Sequence, residues 1–421
     1  MIEYDLKIGY AGMSHLGVNS SVAAAEKVSK VVAYDRDKII IDQLKLGETK
    51  IDEPNLKEKI NKLKEKILYT SNIKDLIECD IVYISKDVPT DNNGKSNFQD
   101  ILNLIKNVNA SISKKAVLVI LCQVPPGFTR KIERISSKTY YQVETLIFGR
   151  AIERATLPER IILGCSDNKL VIDKVLISFL NTFGCPILPM VYESAELAKT
   201  AINIVLAAQV SVANTLAEIC EKTNGDWNEI IPALNLDKRI GDYAYLNPGL
   251  GISGGNIERD LKTLSNILNE IKGNNIFLDS IVKLSKYRKK WAYDTFKKES
   301  DSLDIKKVCI LGLAYKLNTN SIKNSPSIEL IKSLKNFEVK AYDPLIKKVK
   351  NLKQVFICEN IYEAIKDAEV LFIMIPCEEF VNLNWNKVFS LMKNKIVIDP
   401  FRVMEEQVKN AKVIHHVLGK K

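Results

Sequence analysis

The sequence predicts an α/β protein in which two doubly wound, parallel-sheet domains are joined by a helical middle domain with one long helix. Three observations lead to this prediction. The length of 421 residues is enough for two or three domains that each bury a core. Short apolar runs alternate with helix-like stretches, and this pattern occurs twice along the chain. Between the two occurrences lies an apolar segment, residues 193–224, that contains neither Gly nor Pro.

The repeat consists of matched strand-like runs in the two halves of the chain. The first run of each half ends at a glycine, Gly12 or Gly312, and the second run ends on Ala-Tyr-Asp. Continuous apolar runs of this length are typical of parallel strands covered on both faces, so each half is predicted to form an α/β domain. The matched runs are 6–12 and 307–312, 31–35 and 339–343, 80–84 and 369–375, and 116–121 and 395–399.

The segment between the repeats carries apolar residues at helical spacing, which predicts one long helix inside a helical middle domain. Glu196, Lys199, Gln209 and Glu218 interrupt it, so we do not expect it to span a membrane. We expect this helix to link the two α/β domains and to provide an oligomer interface. The predicted domains are residues 1–190, 191–300 and 301–421.

Composition narrows the class of partner and the compartment. Lys plus Arg number 61 and Asp plus Glu 51, and the resulting net charge of +10 makes nucleotides, nucleic acid or anionic lipid plausible partners. The eight Cys and three His show no ligand spacing, so neither a metal site nor a disulfide framework is expected. Thiols in apolar runs are typical of a reducing compartment, and we find no secretory signal and no uncharged run of membrane-spanning length. We therefore expect a cytoplasmic protein.

A glycine fingerprint follows the first predicted strand. Residues 12–17 read G-x-S-x-x-G, with Ser14 in place of the second glycine, and Asp35 ends the next strand 23 residues after Gly12. This arrangement is typical of a dinucleotide site, in which the diphosphate rests on a helix N-terminus and the carboxylate binds the adenosine ribose. A tight strand-to-helix turn without a ligand is the alternative. Asp35 favours NAD over NADP, although Arg36 beside it keeps NADP open.

Three further stretches carry polar chemistry. Lys199 and Asn203 lie four residues apart and share one face of the long helix. Residues 247–260 contain a glycine-dense run, which indicates either close approach of a ligand to the backbone or a plain loop. Lys316 follows Gly312 and can provide the cation for a nucleoside diphosphate, or can be an exposed lysine. A basic, aromatic segment at 283–298 is predicted to be the solvated face of an amphipathic helix rather than a nucleic-acid site.

Taken together, these blocks resemble the UDP-glucose/GDP-mannose dehydrogenase family, that is, the nucleotide-sugar 6-dehydrogenases. The resemblance covers essentially the whole chain and implies an N-terminal NAD-binding Rossmann-like domain, a central dimerisation domain and a C-terminal Rossmann-like domain for the nucleotide sugar. The blocks are 12–17 with Asp35, 124–127, 144–149 with 158–161, 195–199 with Asn203, 237–241, 247–260, 312–316 with 325–326, and 342–344.

The resemblance also implies roles for individual residues. In the family, a sugar alcohol is oxidised twice by hydride transfer to NAD, and a cysteine captures the intermediate aldehyde as a thioester. The catalytic positions match Lys199, Asn203, Asp260, Glu144 and, at the cysteine's place, Asn256. The cofactor positions match Gly12, Ser14, His15, Leu16, Gly17, Asp35, Arg36 and Lys323. The substrate positions match Leu146, Arg239, Tyr245, Gly251, Gly254, Tyr315 and Lys316. For His15 a capping or solvated role, and for Arg239 a helix-end salt bridge, are the alternatives.

Asn256 is the most informative departure from the family pattern. An amide cannot attack an aldehyde, so the second oxidation has no covalent route through this residue. Gln123, Phe148 and the pair Glu258-Arg259 depart from the pattern in the same blocks. We therefore expect one two-electron oxidation of a nucleotide-diphosphate sugar, most simply a UDP-sugar, by a homodimer. The alternatives are full oxidation through a hydrated aldehyde, with Asp260 or Glu144 activating water, and a sugar-nucleotide-binding protein without turnover.

Overall fold

The computed structural model describes residues 4–89, 96–132, 138–301, 303–349, 352, 354–407 and 412–421. The chain divides into two compact units, Met1–Ile202 and Asn203–Lys421, and each unit is built on a mainly parallel sheet.

The sheet of the first unit has eight strands among the residues described. They are β1 (Tyr4–Ala11), β2 (Val28–Tyr34), β3 (Ile67–Thr70), β4 (Ile81–Ile84), β5 (Val117–Ile120), β6 (Thr139–Gln142), β7 (Ile161–Cys165) and β8 (Ile187–Val191). The spatial order is β3-β2-β1-β4-β5-β6-β7-β8, and the only antiparallel pairing among these strands joins β6 to β7. The order reverses beside β1, which is where a doubly wound sheet forms its ligand crevice.

Helices cover both faces of this sheet. They are α1 (His15–Ala25), α2 (Lys38–Lys45), α3 (Leu56–Lys62), α4 (Gln99–Ser111), α5 (Phe128–Ile132), α6 (Ala151–Thr156) and α7 (Lys174–Asn181), with 3-10 turns at Lys64–Lys66 and Ile73–Leu76. Strand β4 shows why its sequence is an unbroken apolar run. Ile81 and Tyr83 enter one core layer and Val82 and Ile84 enter the other, so all four side chains are buried.

Helix α8 (Tyr192–Thr223) is the predicted long helix; it begins in the first unit and continues into the second. It is long and apolar enough to cross a membrane by length and composition, with a window of mean hydropathy 1.4. The expectation that charges interrupt it is wrong in detail, because Glu196 and Lys199 precede and Glu218 follows a stretch, 200–217, that has no charged residue. The polar groups inside that stretch are amides and hydroxyls, and Asn203 and Asn214 among them bond to other parts of the fold.

The second unit contains the remaining helices of the middle region and a six-stranded sheet. The helices are α9 (Trp227–Leu236), α10 (Asn256–Glu270), α11 (Ile276–Lys289), α12 (Trp291–Ser300), α13 (Pro326–Ser333), α14 (Ile361–Ile365), α15 (Glu378–Val381) and α16 (Trp385–Leu391). The strands are β9 (Lys307–Leu311), β10 (Glu338–Tyr342), β11 (Val355–Ile357), β12 (Val370–Ile373), β13 (Ile396–Ile398) and β14 (Ile414–His416). All pair in parallel in the order β11-β10-β9-β12-β13-β14.

The aspartate of the repeated Ala-Tyr-Asp has the same structural task in both units. Asp35 accepts a hydrogen bond from the backbone N–H of Met13 at 2.7 Å, and Asp343 accepts from the N–H of Leu313 at 2.7 Å and of Ala314 at 3.0 Å. Each carboxylate is buried and fixes the turn that follows the first strand of its unit.

The predicted fold class is confirmed, and each of the eight predicted runs forms a strand at the centre of a sheet. The sequence analysis did not identify β3, β6, β7, β8, β11 and β14. The division into three domains at 190 and 300 stays a prediction.

Candidate active site

The dinucleotide turn of the first unit is tightly built. Gly12 has a φ of +103°, which favours glycine, and a Cβ added to Gly17 would lie 1.8 Å from the carbonyl oxygen of Gly12. Ser14 is the N-cap of α1, and its hydroxyl accepts from the N–H of Asp87 at 2.8 Å. Helix α1 has no acidic side chain in its first turn. The turn therefore fits the diphosphate of NAD, with Ser14 fastening it to the loop after β4.

Asp35 lies at the carboxyl end of β2, beside this turn. Its Oδ2 accepts from Met13 and its Oδ1 accepts from the N–H of Asp37 at 2.9 Å. A pocket opens here, lined by Gly12, Tyr34, Asp35, Arg36, Lys86, Asp100, Asn103, Leu104 and Asn107. We call it the ribose pocket, because it lies where a dinucleotide's adenosine ribose binds in this fold.

His15 points into the fold. Its Nε2 lies 2.8 Å from Oε1 of Glu53, and its ring packs on that of Phe148 with the centroids 4.3 Å apart. Glu53 is buried and also accepts from the backbone N–H groups of Gly149 and Ala151. The imidazole is thus tied to the loop that follows β6. Its neighbour Leu16 is buried in the core.

Glu144 and Lys199 meet in the first unit. Oε2 of Glu144 lies 3.5 Å from Nζ of Lys199, and both side chains are largely buried. Glu144 also accepts from the N–H of Leu146, so the carboxylate shapes its own loop. Leu146 packs against the core of this unit. The structure brings together these two predicted catalytic residues, which the sequence separates by 55 positions.

Asn203 and Asp260 meet in the second unit. Nδ2 of Asn203 donates to Oδ2 of Asp260 at 2.5 Å, and Nε of Arg259 lies 3.2 Å from Oδ1. Asp260 is 1% exposed, so this carboxylate is held in a fixed position. Asn256 is the first residue of α10 and is exposed, one turn before Asp260.

The glycine run between α9 and α10 touches the loop that follows β9. Gly254 has a φ of +77°, and a Cβ there would lie 2.7 Å from the ring of Tyr315. The N–H of Gly254 donates to the carbonyl of Lys323 at 3.0 Å. Gly251 has a φ of +77° and a Cβ there would lie 2.5 Å from the carbonyl of Ser285. Glycine is therefore required by close packing, and the same contacts place Tyr315 and Lys323 beside the run.

Other predicted substrate residues lie at the surface. Arg239 pairs with Asp237 at 2.6 Å at the end of α9 and is largely exposed, which is the helix-end salt bridge given as its alternative. Tyr245 is also exposed, and its N–H donates to Gln209 at 3.2 Å. Nζ of Lys316 lies 5.9 Å from the centre of the Tyr315 ring.

The basic, aromatic segment forms α11 and α12, as predicted, but two of its cations are not solvated. Arg288 pairs with Glu221 at 2.5 Å, and Lys289 lies 3.7 Å from Glu258. Both cations are buried, because they hold α11 against neighbouring elements of the second unit. Among the residues described, no cluster of three or more His, Cys, Asp or Glu is placed to hold a metal ion.

Sequence reasoning missed Glu53, Lys86 and Asp100. Each reaches the dinucleotide turn or the ribose pocket from a position at least 38 residues away from the residue it meets there. No local pattern marks such residues in a single sequence.

Comparison with known proteins gives a consistent result along the chain. The UDP-glucose/GDP-mannose dehydrogenase family matches with its NAD binding domain at residues 6–183, its central domain at 193–286 and its UDP binding domain at 309–406. Helix α8 falls almost wholly within the central-domain match, which assigns it to the core of that domain rather than to a membrane.

Similar proteins span the full length of the chain. UDP-glucose 6-dehydrogenase TuaD of Bacillus subtilis is 27% identical over 432 residues, covering 98% of this chain and 93% of TuaD. UDP-glucose 6-dehydrogenase of Rickettsia felis is 27% identical over 439 residues, covering 99% of this chain and 97% of the relative. A solved UDP-glucose dehydrogenase from Pyrobaculum islandicum superposes with a TM-score of 0.84 at 22% identity, covering 99% of this chain and 98% of that one. The chain belongs to the UDP-glucose/GDP-mannose dehydrogenase family and is an NAD-dependent nucleotide-sugar dehydrogenase.

Proposed function

We propose that this enzyme oxidises a UDP-sugar once, by two electrons, and releases a carbonyl product. The balanced step is alcohol plus NAD⁺ giving aldehyde or ketone, NADH and a proton. The observation that carries the proposal is Asn256, which begins α10 at the position where the family pattern has its thiol nucleophile. A carboxamide nitrogen forms no thioester-like intermediate with an aldehyde, so the covalent route to a carboxylate is missing.

The eight cysteines offer no substitute for that thiol. Six of them are buried, among them all but one of the cysteines of the second unit, and the structure describes every one as a free thiol. Burial raises the pKa of Cys122 to about 12 and that of Cys309 well above its ordinary value. Since the thiolate is the attacking form, thiols of this kind are poor nucleophiles at neutral pH.

The residues for the first oxidation are retained. Bound NAD⁺ supplies the hydride acceptor. We assign Lys199 to stabilising the alkoxide, with Glu144 at 3.5 Å orienting its ammonium group. Asp260 is assigned as the base for the hydroxyl proton, and Asn203 as the donor that fixes it. Lys199 and Asn203 lie four residues apart on α8, so one turn of this helix carries both groups.

The binding residues are assigned in the same way. We propose that the turn from Gly12 to Gly17 binds the NAD diphosphate, that Asp35 binds the ribose, and that Lys323 approaches the cofactor. The glycine run with Tyr315 and Lys316 is proposed to bind the sugar nucleotide. The description of residues 309–406 as a UDP binding domain supports UDP as the nucleotide.

The stoichiometry of NADH decides between one oxidation and two. The purified protein is incubated with excess NAD⁺ and a limiting amount of UDP-glucose or another UDP-sugar, with hydroxylamine as a carbonyl trap. We expect one NADH per sugar and a trapped oxime by mass spectrometry. Two NADH and a carboxylate product would instead show oxidation through the hydrated aldehyde. Sugar binding without any NADH would point to a protein without turnover.

The variant Asn256→Cys tests the assignment of this position. We expect it to form carboxylate product, whereas the matched variant Asn256→Ser, of similar size but without a thiol, is expected to stay at one NADH per sugar. If both variants behave as the wild type, residue 256 does not control the second oxidation.

We further propose a homodimer formed through α8, in the cytoplasm. Val205, Val212, Leu216 and Ile219 are exposed on one side of this helix, an apolar stripe that a second copy would cover. Light scattering after gel filtration should give twice the chain mass. Val212→Glu should shift it towards the monomer, and the isosteric Val212→Thr should not. The free thiols support a reducing compartment.

A further inference from the structure

The ribose pocket contains two cations that share one carboxylate. Nη2 of Arg36 lies 3.6 Å from Oδ2 of Asp100, and Nζ of Lys86 lies 3.8 Å from the same oxygen. Asp100 belongs to the first turn of α4, and Lys86 follows β4. Asp35 is engaged elsewhere, because its two oxygens accept backbone N–H groups. The four side chains carry two positive and two negative formal charges.

This arrangement bears on the choice between NAD and NADP. The two coenzymes differ by a phosphate on the 2′-hydroxyl of the adenosine ribose, and proteins recognise such a phosphate with Arg and Lys. Arg36 and Lys86 both line the ribose pocket. Asp35 alone therefore does not explain why the pocket should disfavour a phosphate, since two suitable cations lie beside it.

We propose that Asp100 is a specificity-determining residue that holds Arg36 and Lys86 in ion pairs and so prevents them from binding a 2′-phosphate. Asp35 repels the phosphate directly, and Asp100 competes with the phosphate for the cations. Loss of the Asp100 charge leaves two cations against one carboxylate, which changes the sign of the net charge of the pocket.

Binding of nucleotide fragments tests this without catalysis. Affinities of 2′,5′-ADP and 5′-AMP, which differ only in the 2′-phosphate, are measured by isothermal titration calorimetry. For Asp100→Asn we expect the Kd of 2′,5′-ADP to fall about tenfold and that of 5′-AMP to stay within about twofold, as expected for one charge at a partly exposed site. Added salt should weaken the gain, because the pocket is open to solvent.

A matched control removes one charge elsewhere in the same unit. Glu78 precedes β4 at the opposite edge of the sheet and pairs with Lys7 at 2.6 Å. Glu78→Gln is expected to leave both affinities unchanged. The effect in Asp100→Asn is then specific to the pocket rather than to the net charge of the protein.

A double-mutant comparison identifies the cation. Arg36→Gln alone should barely change the affinity for 2′,5′-ADP, because the guanidinium is already paired, whereas Arg36→Gln added to Asp100→Asn should remove most of the gain. If Asp100→Asn leaves the 2′,5′-ADP affinity unchanged, or strengthens both fragments equally, Asp100 does not select the coenzyme. If Asp100→Asn does not fold, equal effects of Arg36→Gln on the two fragments in the otherwise wild-type protein would likewise overturn the proposal.

Discussion

The charge of Asp226 should stabilise the second unit, and its removal is a quantitative test of the packing there. Asp226 is the N-cap of α9 and accepts from the N–H of Asn228 at 2.9 Å. It also binds Arg402 at 2.7 Å and Lys420 at 3.1 Å, so it joins α9 to the C-terminal segment of the chain. The perturbation is Asp226→Asn. Asparagine is an equally good N-cap, so this variant removes the charge and keeps the cap.

The size of the effect follows from the carboxylate's pKa. Burial by itself would raise this pKa, but hydrogen bonds from Arg402, the N–H of Asn228 and Lys420 outweigh it and lower the pKa of Asp226 from 3.8 to about 2. At ~1.4 kcal/mol per pH unit, this difference stabilises the folded state by about 2 kcal/mol at neutral pH. A lowered pKa gives stability that is complete above pH 3.8 and is lost as the pH falls towards 2. About half should remain at pH 3.

The assay is urea unfolding followed by tryptophan fluorescence. The three tryptophans, Trp227, Trp291 and Trp385, all lie in the second unit, so the signal reports on the unit that contains Asp226. We expect Asp226→Asn to lower the free energy of unfolding by about 2 kcal/mol at pH 7 and by about half of that at pH 3. Asp237→Asn, at the other end of α9 and solvent-exposed, is the control and should have no measurable effect. An equal loss at both pH values would refute the electrostatic explanation.

Three further outcomes are expected. In Gly17→Ala the new Cβ meets the carbonyl of Gly12 at 1.8 Å, a clash of the kind that costs about 1–3 kcal/mol, so calorimetry should show NAD binding at least about tenfold weaker; Gly225→Ala, with a nearest contact of 3.4 Å, should bind normally. Asp260→Asn should lower kcat by about 10²–10⁴-fold with NAD affinity unchanged, and an unaltered kcat would exclude it as the base. Burial raises the pKa of Glu196, so wild-type stability falls as the pH rises from about 4.5; melting curves of Glu196→Gln at pH 4 and pH 7 should lack this decline.

How far the fold could be predicted depended on burial. Each residue of β4 is buried on one face or the other, so its sequence is an unbroken apolar run and the strand is recognisable. Strand β14 is an edge strand of sequence Ile-His-His, in which His415 pairs with Asp399 at 3.2 Å and His416 with Glu299 at 3.0 Å. These histidines look like surface residues in the sequence. Their partners lie in other elements, so no periodicity marked the strand.

The candidate site shows the same limit. The glycines of residues 12–17 were predictable because a tight turn imposes a local pattern on the chain. The pairs Asn203 with Asp260 and Glu144 with Lys199 were named through family resemblance, and the structure supplies their contacts. Glu53 and Asp100 lie far along the chain from the residues they bind, and only the folded arrangement shows them.

The clamp formed by Asp35 and Asp343 has a consequence for engineering the coenzyme preference. Both units keep a strand-ending carboxylate that fixes the turn after their first strand, although only the first turn has the glycine fingerprint. A substitution at Asp35 therefore alters backbone geometry and ligand charge in one stroke, and its effect on affinity has no single meaning. The same acid in a duplicated domain marks a rigid turn whether or not a dinucleotide binds there. Redesign of such sites is better begun at an outer carboxylate whose only partners are side chains.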